Sequence, residues 1–176
     1  MKVSVFVGTS LDGFIARRDG TFDFLPADGG EPHGYKEFIA SVDTIVMGRN
    51  TFETVLSMPS WPYGEKPVVV LSSKPIDLSV VVGAVIQQMS GDPADIVSKL
   101  AATGARHLYI DGGDTIQRFL RAALVNRIII TRVPVLIGDG IPLFSTLPHD
   151  IRLHHISTKQ FPSGLVSSEY QIADSK

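Results

Sequence analysis

Short apolar runs separated by polar turns dominate the first three quarters of the chain. Most of these runs are rich in valine and isoleucine and apolar at every position, which is typical of strands covered by helices on both faces. They occupy residues 3–7, 44–47, 68–71, 80–86, 107–110 and 127–135. Residues 151–158 and 165–172 instead alternate between apolar and polar positions, which predicts two half-exposed strands near the C-terminus. The whole pattern predicts about eight strands.

Amphipathic segments with helical spacing lie between the predicted strands, at residues 34–41, 51–57, 93–103 and 116–123. Alternating strands and helices, followed by consecutive strands, predict an α/β domain with a mixed, mostly parallel sheet and about four helices. An antiparallel C-terminal hairpin is expected near Pro162-Ser163-Gly164. Because no linker or internal repeat interrupts the pattern, residues 1–176 are predicted to form a single domain.

Composition and charge narrow the classes of partner. The net charge is −2 and no segment concentrates lysine and arginine, which disfavours nucleic-acid binding and favours a small ligand. The chain contains no cysteine, and His154 and His155 would point to opposite faces of a strand, so we expect no metal site. The N-terminal apolar run is too short for a signal peptide or a membrane span, so a cytoplasmic protein without membrane contact is expected.

The first candidate for chemistry is the strand-to-helix turn Met47-Gly48-Arg49-Asn50-Thr51-Phe52-Glu53. Gly48 allows a ligand to approach the backbone, Thr51 can cap the following helix, and Arg49 offers a forked cation for a phosphate. The competing interpretation is an ordinary helix cap beside a solvated arginine.

A second turn of the same kind joins the strand at 107–110 to Asp111-Gly112-Gly113-Asp114-Thr115-Ile116. Its two glycines let consecutive N–H groups face a diphosphate, although tight packing would explain them equally well. Two strand-to-helix turns with exposed N–H groups can bind one ligand that carries two or more phosphates, which indicates a nucleotide cofactor.

Two further segments bear on the site. Leu71-Ser72-Ser73-Lys74 places two hydroxyls and an ammonium at a strand end, which would suit the extra phosphate of NADP, although an ordinary polar loop before Pro75 is the favoured interpretation of this segment taken alone. Residues 19–33 are polar, rich in glycine and proline and without periodicity, which predicts either a mobile surface loop or a lid over a site.

Taken in order, these motifs resemble the dihydrofolate reductase-like superfamily over nearly the whole chain. The resemblance implies a three-layer α/β fold around a central mixed, mostly parallel eight-stranded sheet. Ser10-Leu11-Asp12-Gly13 and the later segment at 137–144 are similar to the branch that contains the reductase domain of bifunctional riboflavin-pathway enzymes, the RibD C-terminal domain. Relatives in that branch are commonly dimers, so a homodimer is possible.

The resemblance also implies that NADPH binds with its pyrophosphate between the two glycine turns. Arg49, Ser72 and Ser73 match positions that meet the adenosine end and its phosphate, whereas Ile15 and Ala16 match the loop beside the nicotinamide. The complete predicted cofactor set is Ile15, Ala16, Gly48, Arg49, Asn50, Thr51, Leu71, Ser72, Ser73, Gly112, Gly113, Asp114, Thr115 and Ile116.

One departure concerns the acid of dihydrofolate reductases, a carboxylate at the start of the first helix. The matching position is Pro32, and a one-residue gap would bring in Glu31. Asp12 is therefore the first candidate for substrate binding or proton delivery and Glu31 the second, with a tight Asp-Gly turn as the other interpretation of Asp12.

The sequence hypothesis is an NADPH-dependent reductase that transfers a hydride to a small pteridine-like or pyrimidine-like heterocycle. The reaction would be similar to that of dihydrofolate reductase or of 5-amino-6-(5-phosphoribosylamino)uracil reductase. The rival hypothesis is an NADP-binding module without turnover, because the expected carboxylate is missing. A phosphate-transferring enzyme is disfavoured because no cluster of metal-binding carboxylates accompanies the turns.

Overall fold

The computed structural model describes residues 1–26 and 31–173. Ten strands and four helices follow one another in the order β1 (Lys2–Ser10), β2 (Phe14–Ala16), α1 (Tyr35–Ser41), β3 (Thr44–Gly48), α2 (Arg49–Leu56), β4 (Val68–Leu71), β5 (Ile86–Met89), α3 (Pro93–Ala102), β6 (His107–Asp111), α4 (Gly113–Arg121), β7 (Arg127–Val133), β8 (Ile141–Pro142), β9 (Leu153–Gln160) and β10 (Val166–Ile172). None of the helices in this part of the chain has the length and hydropathy that crossing a membrane requires.

Eight of the strands form one sheet in the order β5-β4-β3-β6-β1-β7-β10-β9. Neighbours are parallel from β5 through β7, and the last two strands, β10 and β9, run antiparallel to their neighbours. The parallel strands need crossover connections, which the helices supply. The predicted mixed, mostly parallel sheet of eight strands with a C-terminal hairpin is confirmed.

Helices cover both faces of the parallel part of this sheet. On one face, Ile96 and Leu100 of α3 and Phe119 of α4 pack with β-strand valines and isoleucines. On the other face, Phe38 of α1 and Phe52 of α2 belong to a second apolar cluster. The molecule therefore has the three layers that the resemblance predicted, and the near-continuous apolar strands are explained by burial on both sides.

The predicted strand at residues 80–86 is wrong, because only its last residue belongs to a strand. Val80, Val82 and Val85 are all exposed, and Val82 is 97% exposed. Gly83 has a φ of 82°, a left-handed conformation that breaks an extended segment. The edge strand β5 uses Ile86–Met89 instead, and the side chain of Gln88 ties the preceding loop to it through the amide of Ile76 and the carbonyl of Ser72.

The sequence patterns missed two short strands and wrongly predicted the exposure of a third strand. β2 and β8 form a separate two-stranded sheet, and each is too short for a periodic pattern to be visible in the sequence. All eight residues of the edge strand β9 are exposed, so this strand is not half-buried as its alternation predicted. The helical layers cover the parallel strands and leave this end of the sheet to solvent.

Both glycine turns begin their helices earlier than predicted. α2 starts at Arg49, directly after Gly48, so Thr51 lies inside the first turn and does not cap the helix. α4 starts at Gly113, after Gly112. No side chain caps the first turn of either helix, which leaves N–H groups at both helix starts for another partner.

The two turns are in direct contact through a reciprocal pair of glycine and threonine residues. A Cβ atom on Gly112 would lie 2.1 Å from Thr51 Oγ1, and a Cβ on Gly48 would lie 3.0 Å from Thr115 Oγ1. Each threonine therefore occupies the space that a side chain on the opposite glycine would need. This contact holds the ends of β3 and β6 and the starts of both following helices side by side.

His107 is a buried polar residue at the opposite end of the sheet. Its Nδ1 lies 2.9 Å from the carbonyl of Ser41, which can only accept, so Nδ1 carries the proton and Nε2 accepts from the Ser4 hydroxyl at 2.8 Å. Burial lowers the pKa of the His107 imidazole, opposed by the Ser41 carbonyl and the nearby Asp43. The fold therefore contains this imidazole in its neutral form.

We predict that Gly112→Ala destabilises the protein far more than Gly113→Ala. Gly112 combines a φ of 87° with the contact to Thr51, so its substitution should cost about 2–5 kcal/mol in the free energy of unfolding. A Cβ on Gly113 would lie 2.8 Å from the flexible end of Ile15 and at ordinary contact distance from Ile141 and Pro142, and the expected cost is about 1 kcal/mol. Urea unfolding measures both, and equal costs would contradict the contact. Adding Thr51→Ala to Gly112→Ala should recover part of the loss.

We also predict that His107 makes stability depend on pH below neutrality. Because its folded pKa lies below the ordinary value of 6.5, the unfolded chain binds this proton first. The stability that the neutral His107 contributes to the folded state is fully present above pH 6.5 and is lost as the pH falls through the folded pKa. Unfolding free energies measured across this range should fall less steeply for His107→Asn than for the wild type, and parallel curves would contradict the assignment.

Candidate functional site

A cavity of about 650 Å³ opens where the parallel strands end. The carboxyl ends of β3, β4 and β6 contribute Gly48, Leu71 and Asp111 to its wall, and the starts of α2 and α4 contribute the residues that follow the two glycine turns. Ligands of open α/β sheets bind at this edge, because the backbone turns away there and leaves a crevice.

The cavity brings together most of the residues predicted to bind a cofactor. Eleven of the fourteen line it, namely Ile15, Ala16, Gly48, Arg49, Asn50, Thr51, Leu71, Gly112, Gly113, Asp114 and Thr115. Ile15 packs on the second turn, since its Cδ1 lies 2.8 Å from the position of a Cβ on Gly113. Ile116 is buried in the apolar core and lines neither this cavity nor the one beside it. Cofactor binding by the set remains a prediction.

A second cavity of about 620 Å³ adjoins the first and shares Arg49, Leu71 and Arg118 with it. Its remaining lining residues are Ser72, Ser73, Lys74, Ser90 and Gly91. The Ser72 hydroxyl donates to the carbonyl of Lys74 at 2.7 Å, which closes a tight local turn. The side chains of Ser73 and Lys74 are therefore the polar groups of this segment that remain for a ligand.

Two arginines stand between the cavities. Arg49 donates from Nε to the Glu53 carboxylate at 2.6 Å, one helical turn away, and its guanidinium still lines both cavities. Arg118 of α4 donates from Nη2 to the carbonyl of Gly91 at 3.0 Å. The chain thus concentrates positive charge where the two cavities meet.

The two predicted catalytic carboxylates have partners outside the cavity. Asp12 accepts hydrogen bonds from the N–H groups of Ile137 at 3.3 Å and Gly138 at 2.8 Å. The Ser10 side chain, and after it these two N–H groups, lower the pKa of the Asp12 carboxyl. Glu31 accepts from the N–H and the hydroxyl of Ser163. Neither residue is among those that line the cavity. Their proposed role in substrate binding or proton delivery stays a prediction, and the geometry supports instead a role in joining loops.

The other side of the cavity, called here the aromatic half, consists of residues that the sequence patterns did not single out. It is lined by Phe6, Leu25, Pro26, His33, Tyr35, Met58, Tyr63, Tyr109, Thr131, Val133 and Leu165. Phe6 lies at its centre, with ring centroids 5.4 Å from Tyr35 and 5.5 Å from His33. The Tyr109 hydroxyl donates to the backbone carbonyl of Phe6 at 3.0 Å, which orients the Tyr109 ring against β1.

Asp111 lies at the boundary between the glycine turn and the aromatic half. Burial raises the pKa of its carboxyl, and the Gly112 N–H, 2.8 Å from Oδ1, acts in the opposite direction. Burial and the Asp111 charge raise the pKa of Tyr35 to about 12 and that of Tyr63 well above its usual range. A carboxyl with a raised pKa beside neutral phenols can hold a proton for transfer to a bound molecule.

The sequence did contain a signal for Asp111. It directly follows an apolar parallel strand and precedes the glycine pair, so its side chain had to lie at the ligand-binding edge of the sheet. Tyr35 and Tyr63 carry no comparable local signal, because their approach to Asp111 depends on how α1 and the segment after α2 pack.

The described part of the loop at 19–33 forms one wall of the cavity. Phe22, Leu25 and Pro26 line it, and Leu25 Cδ2 lies 3.0 Å from the position of a Cβ on Gly8. This placement favours the lid interpretation of the loop. Residues 27–30 lie outside the described residues. Among the described residues, histidine, aspartate and glutamate form no group of three or more that could hold a metal ion.

Comparison with known proteins is consistent with this fold. The chain is 34% identical over 163 residues to the uncharacterized protein YwjB of Bacillus subtilis, a match that covers 91% of this chain and 92% of that protein. A crystal structure from Shewanella sp. PV-4, of a protein provisionally named for riboflavin biosynthesis, superposes with a TM-score of 0.90 at 37% identity and covers 98% of this chain and 99% of that one.

Two more distant structures share the fold. The Thermotoga maritima diaminohydroxyphosphoribosylaminopyrimidine deaminase/5-amino-6-(5-phosphoribosylamino)uracil reductase has a TM-score of 0.76 at 13% identity, and the match covers 98% of this chain and 56% of that one. Dihydrofolate reductase from Enterococcus faecalis, solved with NADP(H), has a TM-score of 0.67 at 16% identity, with 98% and 97% covered. The fold is therefore dihydrofolate reductase-like. The sequence profile of the RibD C-terminal domain matches residues 1–167, and the chain belongs to that family.

Proposed function

We propose that the protein is an NADPH-dependent reductase that transfers a hydride to a small pteridine-like or pyrimidine-like heterocycle. The family is reductase-like, and the Thermotoga and Enterococcus proteins are named as reductases. The observation that carries the proposal is the contact between the two glycine turns at one wall of a cavity whose opposite wall is aromatic.

The residues at the turns fit a dinucleotide phosphate. Two uncapped helix starts present N–H groups, Arg49 and Arg118 supply positive charge, and the glycines let a ligand approach the backbone closely. Asp114 adds a carboxylate to the same wall and Arg49 is paired with the Glu53 carboxylate, so Arg118 and the N–H groups of the two helix starts are the principal donors for a phosphate. When bound, NADPH would supply the hydride.

The residues of the second cavity fit the additional phosphate that distinguishes NADPH from NADH. Ser73, Lys74 and Arg49 present a hydroxyl, an ammonium and a guanidinium within one cavity. Charged and hydroxyl donors of this kind make the strongest hydrogen bonds to phosphate oxygens. This composition favours NADPH over NADH.

Within the chain, Asp111 is the group best placed to deliver the proton that completes reduction of a carbon–nitrogen double bond. It lines the cavity, and burial raises the pKa of its carboxyl. The same group weighs against the rival hypothesis of an NADP-binding module without turnover, because a half-buried acid with a raised pKa in a substrate-sized cavity serves proton transfer and is not needed to bind the cofactor.

We predict that NADPH stabilises the protein more than NADH does. At about 100 times its dissociation constant, NADPH should raise the melting temperature by about 5–10 °C through mass action. Lys74→Ala should weaken NADPH binding about tenfold and leave NADH binding unchanged, because a charge-assisted hydrogen bond contributes about 1.5–3 kcal/mol. Lys99→Ala, at an exposed position of α3 outside both cavities, is the matched control. Equal shifts with both dinucleotides would contradict the assignment of the second cavity.

We further predict that Asp111→Asn lowers turnover about 100-fold or more and leaves NADPH affinity within about threefold. Asparagine can still accept the Gly112 N–H, so the turn should survive. The assay is NADPH oxidation across a panel of pterins, flavins and pyrimidines, with Asp12→Asn and Glu31→Gln measured alongside. Loss of turnover in Asp12→Asn alone would instead assign proton delivery to Asp12, in the loop after β1. If the wild type oxidises NADPH with none of the acceptors, the binding module without turnover is favoured.

A further inference from the structure

We infer that the aromatic half of the cavity binds an uncharged, phosphate-free planar ring that carries carbonyl or lactam groups. This inference rests on the proposed function, because it names the class of hydride acceptor. It departs from the phosphoribosyl compound in the name of the Thermotoga protein, with which the chain shares only the fold.

The distribution of positive charge carries the first step. Among the described residues that line the cavity, the lysine and arginine side chains are those of Arg49 and Arg118, and both also line the second cavity. Residues 27–30, which lie outside the described residues, have the sequence Ala-Asp-Gly-Gly and contain no lysine or arginine. A phosphate ester in that half would be removed from water without a cationic partner.

The remaining ionisable groups of the aromatic half do not compensate. Asp111 would repel a phosphate whenever its carboxyl is ionised. His33 donates from Nδ1 to the carbonyl of Glu31 at 3.0 Å and packs against Phe6, which occupies one nitrogen and one face of the ring. The charge of Asp111 and the contacts of His33 thus favour an uncharged ligand over a phosphate ester.

The groups that remain suit a flat heterocycle. Phe6, Leu25, Met58, Val133 and Leu165 offer apolar surfaces for the faces of a ring. At its edges, the hydroxyls of Tyr35 and Tyr63 have no hydrogen-bond partner among the described residues, and both phenols are protonated donors at neutral pH, as an ordinary tyrosine is. Ring carbonyl oxygens are the acceptors that such donors match.

The test compares pairs of compounds that differ only by a phosphate. Calorimetry on protein saturated with NADP⁺ measures 5-amino-6-ribosylaminouracil against its 5′-phosphate, and 6-hydroxymethyl-7,8-dihydropterin against its phosphate ester. In whichever pair binds, the uncharged member should bind at least tenfold more tightly. Tighter or equal binding of a phosphate ester would overturn the inference, and so would the absence of binding by all four compounds.

A gain of charge tests the same point in the opposite direction. Met58→Lys replaces one unbranched side chain of the aromatic half by another of similar length and adds a cation, so the phosphate esters should gain at least tenfold in affinity. Met58→Leu is the matched control and should leave the preference for the uncharged compound unchanged. Phe22→Lys, at a cavity position that is 37% exposed, serves should Met58→Lys fail to fold. An unaltered preference in a folded lysine variant would overturn the inference.

Failure of this inference is distinguishable from failure of the proposed function. NADP⁺ binding is measured first, without any acceptor, and its absence would contradict the cofactor assignment. The four compounds can then still be titrated into the protein alone, where their order of affinity reports on the aromatic half by itself.

Discussion

The reciprocal contact of Gly48 with Thr115 and of Gly112 with Thr51 is the constraint on which the site depends. Two neighbouring parallel strands end at the same height, and each passes directly into a helix. The helices can begin side by side only because each glycine leaves room for the opposite threonine. Four residues therefore fix the separation of two sets of unpaired N–H groups.

From this contact the cavity divides into two chemically different parts. On the side of the helix starts, Arg49 and Arg118 concentrate positive charge where two cavities meet. On the other side, Phe6, Tyr35 and Tyr63 present rings and hydroxyls, and the described lining residues of that side include no lysine or arginine. Asp111 lies at the boundary between these two parts of the cavity.

Local sequence patterns predicted most of the fold and most of the residues that line the cavity at the two helix starts. The apolar strands and the two glycine turns are readable because a few consecutive residues determine them, and the paired turns come together as predicted. The prediction of a strand at 80–86 is wrong because Gly83 breaks this apolar run, and only Ile86 belongs to the sheet. The sequence predicts Asp12 and Glu31 as catalytic residues because they are carboxylates in loops. In the structure both accept hydrogen bonds from backbone N–H groups, and neither lines the cavity. The aromatic half depends on packing between distant segments, which no local pattern reveals.

We propose that the two glycine turns together bind one dinucleotide. The most direct test is an NMR titration that follows the backbone amides of both turns as NADPH is added. The chemical shifts of the amides of residues 49–51 and 113–115 should change together, along one saturation curve with one NADPH per chain. Shifts confined to one turn, or separate curves for the two turns, would contradict it.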